Sequence, residues 1–357
     1  MQSTSEHATP PGPRREVLRS CLIGAAVGDA LGLPYEGLSA RRIRRWRQGR
    51  LRHRFLLGHG LVSDDTDHHV FVAQALLASR GNVDEFRREL VRRLRLWLIC
   101  LPAGIGSATL RGLLRAWLGL RRSGVRSAGN GPSMRSALLG CVFAADAAAR
   151  RAHVAASTSI THIDPRAFAG ALAIAEIAAR LAGGAWTQRP SADELAVLLR
   201  SVSDEAQWQA SVALLHCCCD APQPAEALCA EPALRDGVGG YVLHSVPFAI
   251  AAWYQGYGDY AATLEICVRA GGDVDTNAAM AGALAALVVG VDGIPRDWRE
   301  GLRDWPHGLP CLEALARDLA APAAARAAGF TPALLPRNLL FLGVVLVHGL
   351  RRLLPPY

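Results

Sequence analysis

A chain of 357 residues, 51% of them hydrophobic, can bury a large core, which excludes a disordered or fibrous protein. The formal net charge of +8 rests on 39 basic residues, and all of them are arginine, so no lysine can form a Schiff base. Nine cysteines without paired metal-ligand spacing exclude a zinc or disulfide framework and point to a reduced, cytoplasmic protein.

In chain order, residues 1–13 have the Ser, Thr, Pro and Gly bias of a solvated tail and lack the regions of a secretion signal. A helix is predicted over 17–31. Gly24, Gly28 and Gly32 recur on one of its faces and mark close packing. Glu36 follows just past the helix end, where it can serve as a site carboxylate. Residues 41–54 hold the densest charge run. A nucleic-acid surface would want aromatic interleaving, and only Trp46 and Phe55 offer it, so a solvated helix face and loop is expected. Its field would also concentrate a phosphate-bearing substrate.

Further helices are predicted over 66–79, 83–101, 133–151, 165–181, 192–202, 246–255, 260–270 and 276–289. Nearly every segment has helical period, breaks fall mostly at Gly or Pro, and hairpin signals are nearly absent. The fold class is therefore all-α, one helical domain over 14–298 with a helical extension over 299–357 packed on it. Cys217, Cys218 and Cys219 would point in diverging directions. The apolar run 339–347, bounded by Arg337, His348, Arg351 and Arg352, is shorter than the roughly 20 residues of a spanning helix. A buried terminal helix is the expectation, ahead of one lying in a membrane surface.

Two acidic turns carry the chemistry. Ser63-Asp64-Asp65-Thr66-Asp67 precedes one predicted helix, and Gly271-Gly272-Asp273-Val274-Asp275-Thr276 enters another. A helix cap would account for one acceptor in each, but crowded carboxylates raise one another's pKa unless a cation neutralises them. Carboxylate and hydroxyl oxygens suit Mg2+ or Mn2+, whereas zinc would want His or Cys. His68 and His69 are expected outside the metal shell, behind it or at the surface. Gly129-Asn130-Gly131-Pro132-Ser133 is a glycine loop with proline at a first helical position, where free N–H groups could hold a diphosphate. In Thr161-His162-Ile163-Asp164-Pro165, Asp164 reads as a helix cap, and His162 stands where it could reach a ligand.

GAAVGDALGLPYEG, SDDTD, GNGPSMR, THID and GGDVDTNAAMAGAL, in this order between residue 15 and about residue 298, resemble the ADP-ribosylglycohydrolase family. The resemblance implies an all-α orthogonal bundle with two divalent cations, Mg2+ or Mn2+. It places the metal ligands at Ser63, Asp64, Asp65, Asp273, Asp275 and Thr276. Glu36 matches a glutamate of a mobile loop over the site. Gly129, Asn130, Gly131 and Ser133 match a diphosphate-wrapping loop, and His162 a substrate-side histidine. Ser63 stands where threonine is usual, Asp67-His68-His69 replaces a mostly apolar helix start, and Ser127-Ala128-Gly129 supplies no carboxylate.

The activity so implied is release of ADP-ribose from a modified protein side chain, arginine favoured, with Glu36 or Asp65 handling protons. Two alternatives stay open, an immunity protein that binds and blocks an ADP-ribosyltransferase and a hydrolase of a free ADP-ribose derivative. The expected partners are an ADP-ribosylated protein and ADP-ribose; nucleic acid is not expected.

Overall fold

The computed structural model describes residues 15–47, 49–322 and 329–351. The expected tail over 1–13 and Arg352 lie outside them. The first half of the chain folds into α1 (Arg15–Gly32), α2 (Ala40–Trp46), α3 (Asp64–Ser79), α4 (Val83–Ile99), α5 (Ser107–Trp117), α6 (Ala137–Val142), α7 (Ala147–Thr161) and α8 (Pro165–Ala182). The second half adds α9 (Ala192–Arg200), α10 (Ala206–Cys219), α11 (Pro224–Cys229), α12 (Val242–Gln255), α13 (Tyr260–Ala270), α14 (Val274–Val289), α15 (Arg296–Glu300), α16 (Leu309–Ala320) and α17 (Leu334–Arg351). The sheet is a two-residue antiparallel ladder, Leu38 opposite Gly272 and Ser39 opposite Gly271. The fold is all-α.

Helix starts follow local chemistry. Ser63, Asn82, Asp146, Asp164 and Asp259 each accept a backbone N–H at the head of their helices, and Ser191 and Glu194 form a reciprocal capping box. Two predicted spans need correction. The helix expected over 133–151 is a 3-10 turn, Ser133–Arg135, then α6 and α7, because Asp146 caps a new helix through the Ala149 N–H at 2.9 Å. The terminal helix α17 is not buried. Leu334, Arg337, Asn338 and Phe341 pack inward, while leucines along its other face stay open to solvent.

The centre of the molecule is the antiparallel pair α1 and α14. Their backbones approach where α1 has glycine: a Cβ at Gly28 would lie 2.2 Å from the Ala278 carbonyl oxygen, and one at Gly32 would lie 2.6 Å from the Asp275 Cα. This approach sets Asp29 against the head of α14. Gly28→Ala is expected to cost about 3 kcal/mol, the upper end for overpacking, since backbone rather than a movable side chain must yield. Urea unfolding checks it; a midpoint equal to the parent's would show that the pair tolerates separation.

Candidate active site

The heads of α3 and α14 meet the middle of α1. Carboxylate oxygens of Asp29, Asp65 and Asp275 all lie within 4.8 Å of one another, and all three residues are buried. The two acidic turns, over 200 residues apart in sequence, therefore converge: the Thr276 hydroxyl donates to Asp65 Oδ2 at 3.1 Å, and the Ser63 hydroxyl to the same oxygen at 3.2 Å. Asp64 and Asp273 are half-buried beside this trio. Glu36 is exposed at the rim, capping the 3-10 turn Leu33–Tyr35 before Gly37.

Capping does not explain these acids. The head of α3 is served by Ser63, whose Oγ accepts the Asp65 N–H at 3.2 Å, and by Asp29. Asp29 accepts the Ser63 N–H at 2.9 Å, the Thr66 N–H at 3.2 Å and the Thr66 hydroxyl at 2.5 Å. Asp64 and Asp65 are left over. In α14 the Asp273 side chain makes no capping bond. Asp65 Oδ1 is buried without a hydrogen-bond partner, an arrangement that costs several kcal/mol for a bare carboxylate. Three converging carboxylates, two hydroxyls and an orphaned oxygen fit a hard cation bound through oxygen.

The electrostatics agree. Burial pushes Asp29 up to about 6 despite its hydrogen bonds from Thr66 and Ser63. Burial, followed by the charges of neighbouring carboxylates, holds Asp64, Asp65 and Asp275 well above the usual range. Glu36 is among the charges acting on Asp64 and Asp275, so it belongs to the same cluster. Asp67 points elsewhere. Its burial is more than offset by hydrogen bonds from His307 at 2.6 Å and Trp97 at 2.9 Å, with Arg337 nearby, and its pKa falls below the ordinary value.

Asn130 joins the glycine loop to the acidic turn, its Nδ2 donating to Asp273 Oδ2 at 2.7 Å and to Ser245 Oγ at 2.9 Å. Backbone bonds tie the loop to the segment before α12: Asn130 N to Gly240 O at 3.0 Å and Val242 N to Ala128 O at 2.9 Å. That segment reaches the second acidic turn through Asp273 N to Val238 O at 2.9 Å, where Gly272 needs its φ of +89°. At the start of the 3-10 turn two N–H groups are already taken within the loop. The N–H groups of Ser133 and Met134 both turn back to the Asn130 carbonyl, at 2.7 and 3.2 Å. Ser133 Oγ is buried without a partner. His162 is buried beneath the loop, its Nε2 3.1 Å from where a Gly129 Cβ would stand and its Cε1 3.3 Å from that of Gly131. Burial, with Arg135 beside it, lowers its pKa to about 3, so it is neutral.

His68 and His69 are both buried, which corrects the surface alternative. His69 Nδ1 bonds the Asp65 carbonyl at 3.1 Å. His68 Nδ1 accepts from Arg135, a buried guanidinium that also donates to Ser157 and Thr161. Reading the sequence missed Asp29, Arg135 and Ser245. Asp29 had a visible signal: it is the one acid among the apolar residues of α1 after Glu16, and such a charge needs a reason.

The model of the ADP-ribosylglycohydrolase family matches residues 10–328. The chain belongs to the ADP-ribosylglycohydrolase family. Among this family member's relatives is an uncharacterized protein of Archaeoglobus fulgidus, 30% identical over 310 residues, 81% of this chain and 92% of that protein. The ADP-ribosyl-[dinitrogen reductase] glycohydrolase of Rhodospirillum rubrum is 28% identical over 288 residues, 77% of this chain and 86% of that enzyme. A solved structure, an ADP-ribosylglycohydrolase-related protein complex, superimposes with a TM-score of 0.65 at 24% identity, covering 87% of this chain and 99% of the other. The fold is thus that of ADP-ribosylglycohydrolases, and the family is one of glycohydrolases.

A thermal prediction follows from the carboxylates. Saturating Mn2+ or Mg2+ at pH 7.5 is expected to raise the unfolding midpoint by about 5–10 °C, from roughly 2.7 kcal/mol at a hundredfold excess over Kd. Asp29 loses its proton near pH 6 in the folded chain and near 3.9 when unfolded. Between these values the folded chain holds the extra proton, so the metal-free protein gains stability as pH falls from 7 toward 5. The same proton competes with the cation, and the metal-induced shift shrinks below about pH 6. Differential scanning fluorimetry with and without chelator checks both signs.

Proposed function

We propose that this chain hydrolyses the glycosidic bond between the distal ribose of ADP-ribose and a protein side chain, with arginine as acceptor, aided by two Mg2+ or Mn2+ ions. The observation that carries the reading is the convergence of Asp29, Asp65 and Asp275 around the partnerless Asp65 Oδ1. Ser63, Asp64, Asp65, Asp273, Asp275 and Thr276, with Asp29 added, would hold the ions. Bound there, such ions supply Lewis acidity toward ribose hydroxyls and a water of lowered pKa.

The chain's own residues do the rest. Glu36, exposed at the rim, would hold and move a proton between water and the leaving side chain. Asp65, buried and tied at Oδ2 by two hydroxyls, is better placed to orient than to shuttle protons. Asn130 fixes Asp273, and glycine at positions 129 and 131 leaves room for the His162 ring beneath the loop whose backbone would meet a diphosphate. The cytoplasm, where reduced cysteines are stable, is the compartment this reading assigns.

The test incubates purified protein with arginine-, serine- and nucleic-acid-linked ADP-ribose in Mg2+, Mn2+ or chelator and measures free ADP-ribose. Release from the arginine conjugate that stops in chelator is the expected result. Release that persists in chelator defeats the metal-assisted reading, and release only from another conjugate defeats the acceptor.

A further inference from the structure

Helix α17 carries an apolar stripe that nothing among the described residues covers. Leu335, Leu339, Leu342, Leu346 and Leu350 fall at i, i+4, i+7, i+11 and i+15, on one side of the helix, and are 39 to 67% exposed. Its other side is fastened to the protein: Arg337 pairs with Asp304 at 2.6 Å, Asn338 donates to the Cys100 carbonyl at 2.8 Å, and His348 bonds the Pro34 carbonyl at 3.0 Å. The helix therefore lies along the domain and presents leucine outward over its roughly 27 Å length.

Beside the stripe, a groove of about 600 Å³ runs between Leu340, Val347 and Leu57. Leu57 is wholly exposed, in a left-handed conformation with φ 60° at the tip of its turn. A leucine held fully in water on a strained turn, next to a leucine stripe, makes a continuous apolar face of the kind that marks an interaction site. The flank is basic. Arg52, Arg54, His348 and Arg351 line the adjoining depression. No acidic residue occurs between Glu36 and Asp64 or after Asp318, so neither chain segment that forms this face contributes a negative charge.

The geometry points to an anionic lipid surface as the occupant, with α17 lying in the interface, leucines toward the acyl chains and arginines at the headgroups. An apolar helix face flanked by arginines is the composition of an in-plane membrane helix. Each arginine near an anionic surface raises partitioning about fivefold. A second copy of the chain fits less well, because an isologous pairing of the stripe would bring one all-basic flank toward another. Crossing the bilayer would break the Arg337, Asn338 and His348 bonds, so the helix docks and does not span.

The test uses the full chain and sedimentation with vesicles of phosphatidylcholine alone or mixed with an equal part of phosphatidylglycerol. Binding is expected to the mixed vesicles, to fall with added salt, and to be about tenfold or more weaker on phosphatidylcholine. L339E/L346E is expected to lose mixed-vesicle binding and R52E to weaken it about fivefold or more, reversing one of these charges. Both variants should keep the parent's circular dichroism and its turnover of a soluble ADP-ribosyl substrate, which separates this result from the fate of the enzymatic reading. Equal binding to both vesicles, binding that survives L339E/L346E, or no vesicle binding each overturns the proposal. A concentration-dependent dimer abolished by L339E/L346E, without lipid binding, would assign the face to a second copy instead.

Discussion

Asp65→Ala is expected to lower ADP-ribose release by about a thousandfold or more, the scale of losing a charge-stabilising group in a site that excludes water. The protein should still fold. Asp65 is held in the metal-free chain by two hydroxyl donors, both of which can rotate to other partners. Its carboxylate is buried among like charges that push its pKa well up, so removing it relieves repulsion. The thermal midpoint of the chelated variant should therefore not fall, while the upward shift on adding Mn2+ disappears. Activity measured beside fluorimetry in chelator and in metal separates the two effects. A chelated midpoint well below the parent's would make Asp65 a structural residue and weaken its role as ligand.

Asp29→Ala is expected to damage fold and activity together. Three donors converge on Asp29: the N–H groups of Ser63 and Thr66 and the Thr66 hydroxyl. Left buried without an acceptor, each costs about 1–3 kcal/mol. Relief of a carboxylate raised to about 6 returns roughly 3 kcal/mol at neutral pH. The donors win, and a net loss of about 3 kcal/mol is expected in urea unfolding. Asp29→Asn keeps one acceptor oxygen, so it should lose less stability than Asp29→Ala and still lose metal. Equal urea midpoints for Asp29→Ala and the parent would show that the head of α3 stands without its brace from α1.

The contrast between these two aspartates explains what could be read in advance. Asp64, Asp65, Asp273 and Asp275 announce themselves, because paired acids beside Ser or Thr at a helix start exceed what capping needs. Asp29 is hidden inside a glycine and alanine stripe that reads as packing, and only the proximity of α1 and α14 turns it into part of a cluster. The same stripe was legible as close packing, since glycine at every helical turn has few other uses. The helical class was legible from period alone. The break at Asp146 was not, because an alanine-rich run such as Phe143-Ala144-Ala145 carries no glycine or proline, and a single Asp cap decides it. Nor was the exposure of α17: nine apolar residues in a row look like core, and which face finds a partner depends on Asp304 and Pro34, far away in sequence.

One clamp ties the last helix of the described chain to the first acidic turn. The Val62 N–H donates to Asp304 at 2.8 Å, the Val62 carbonyl accepts from Arg337, and Arg337 pairs with Asp304. Val62 immediately precedes Ser63, so the first acidic turn is pinned by residues made 242 and 275 positions later. The shape of that turn therefore depends on a contact its own acids do not make, and cutting the Arg337–Asp304 pair would loosen it from a distance.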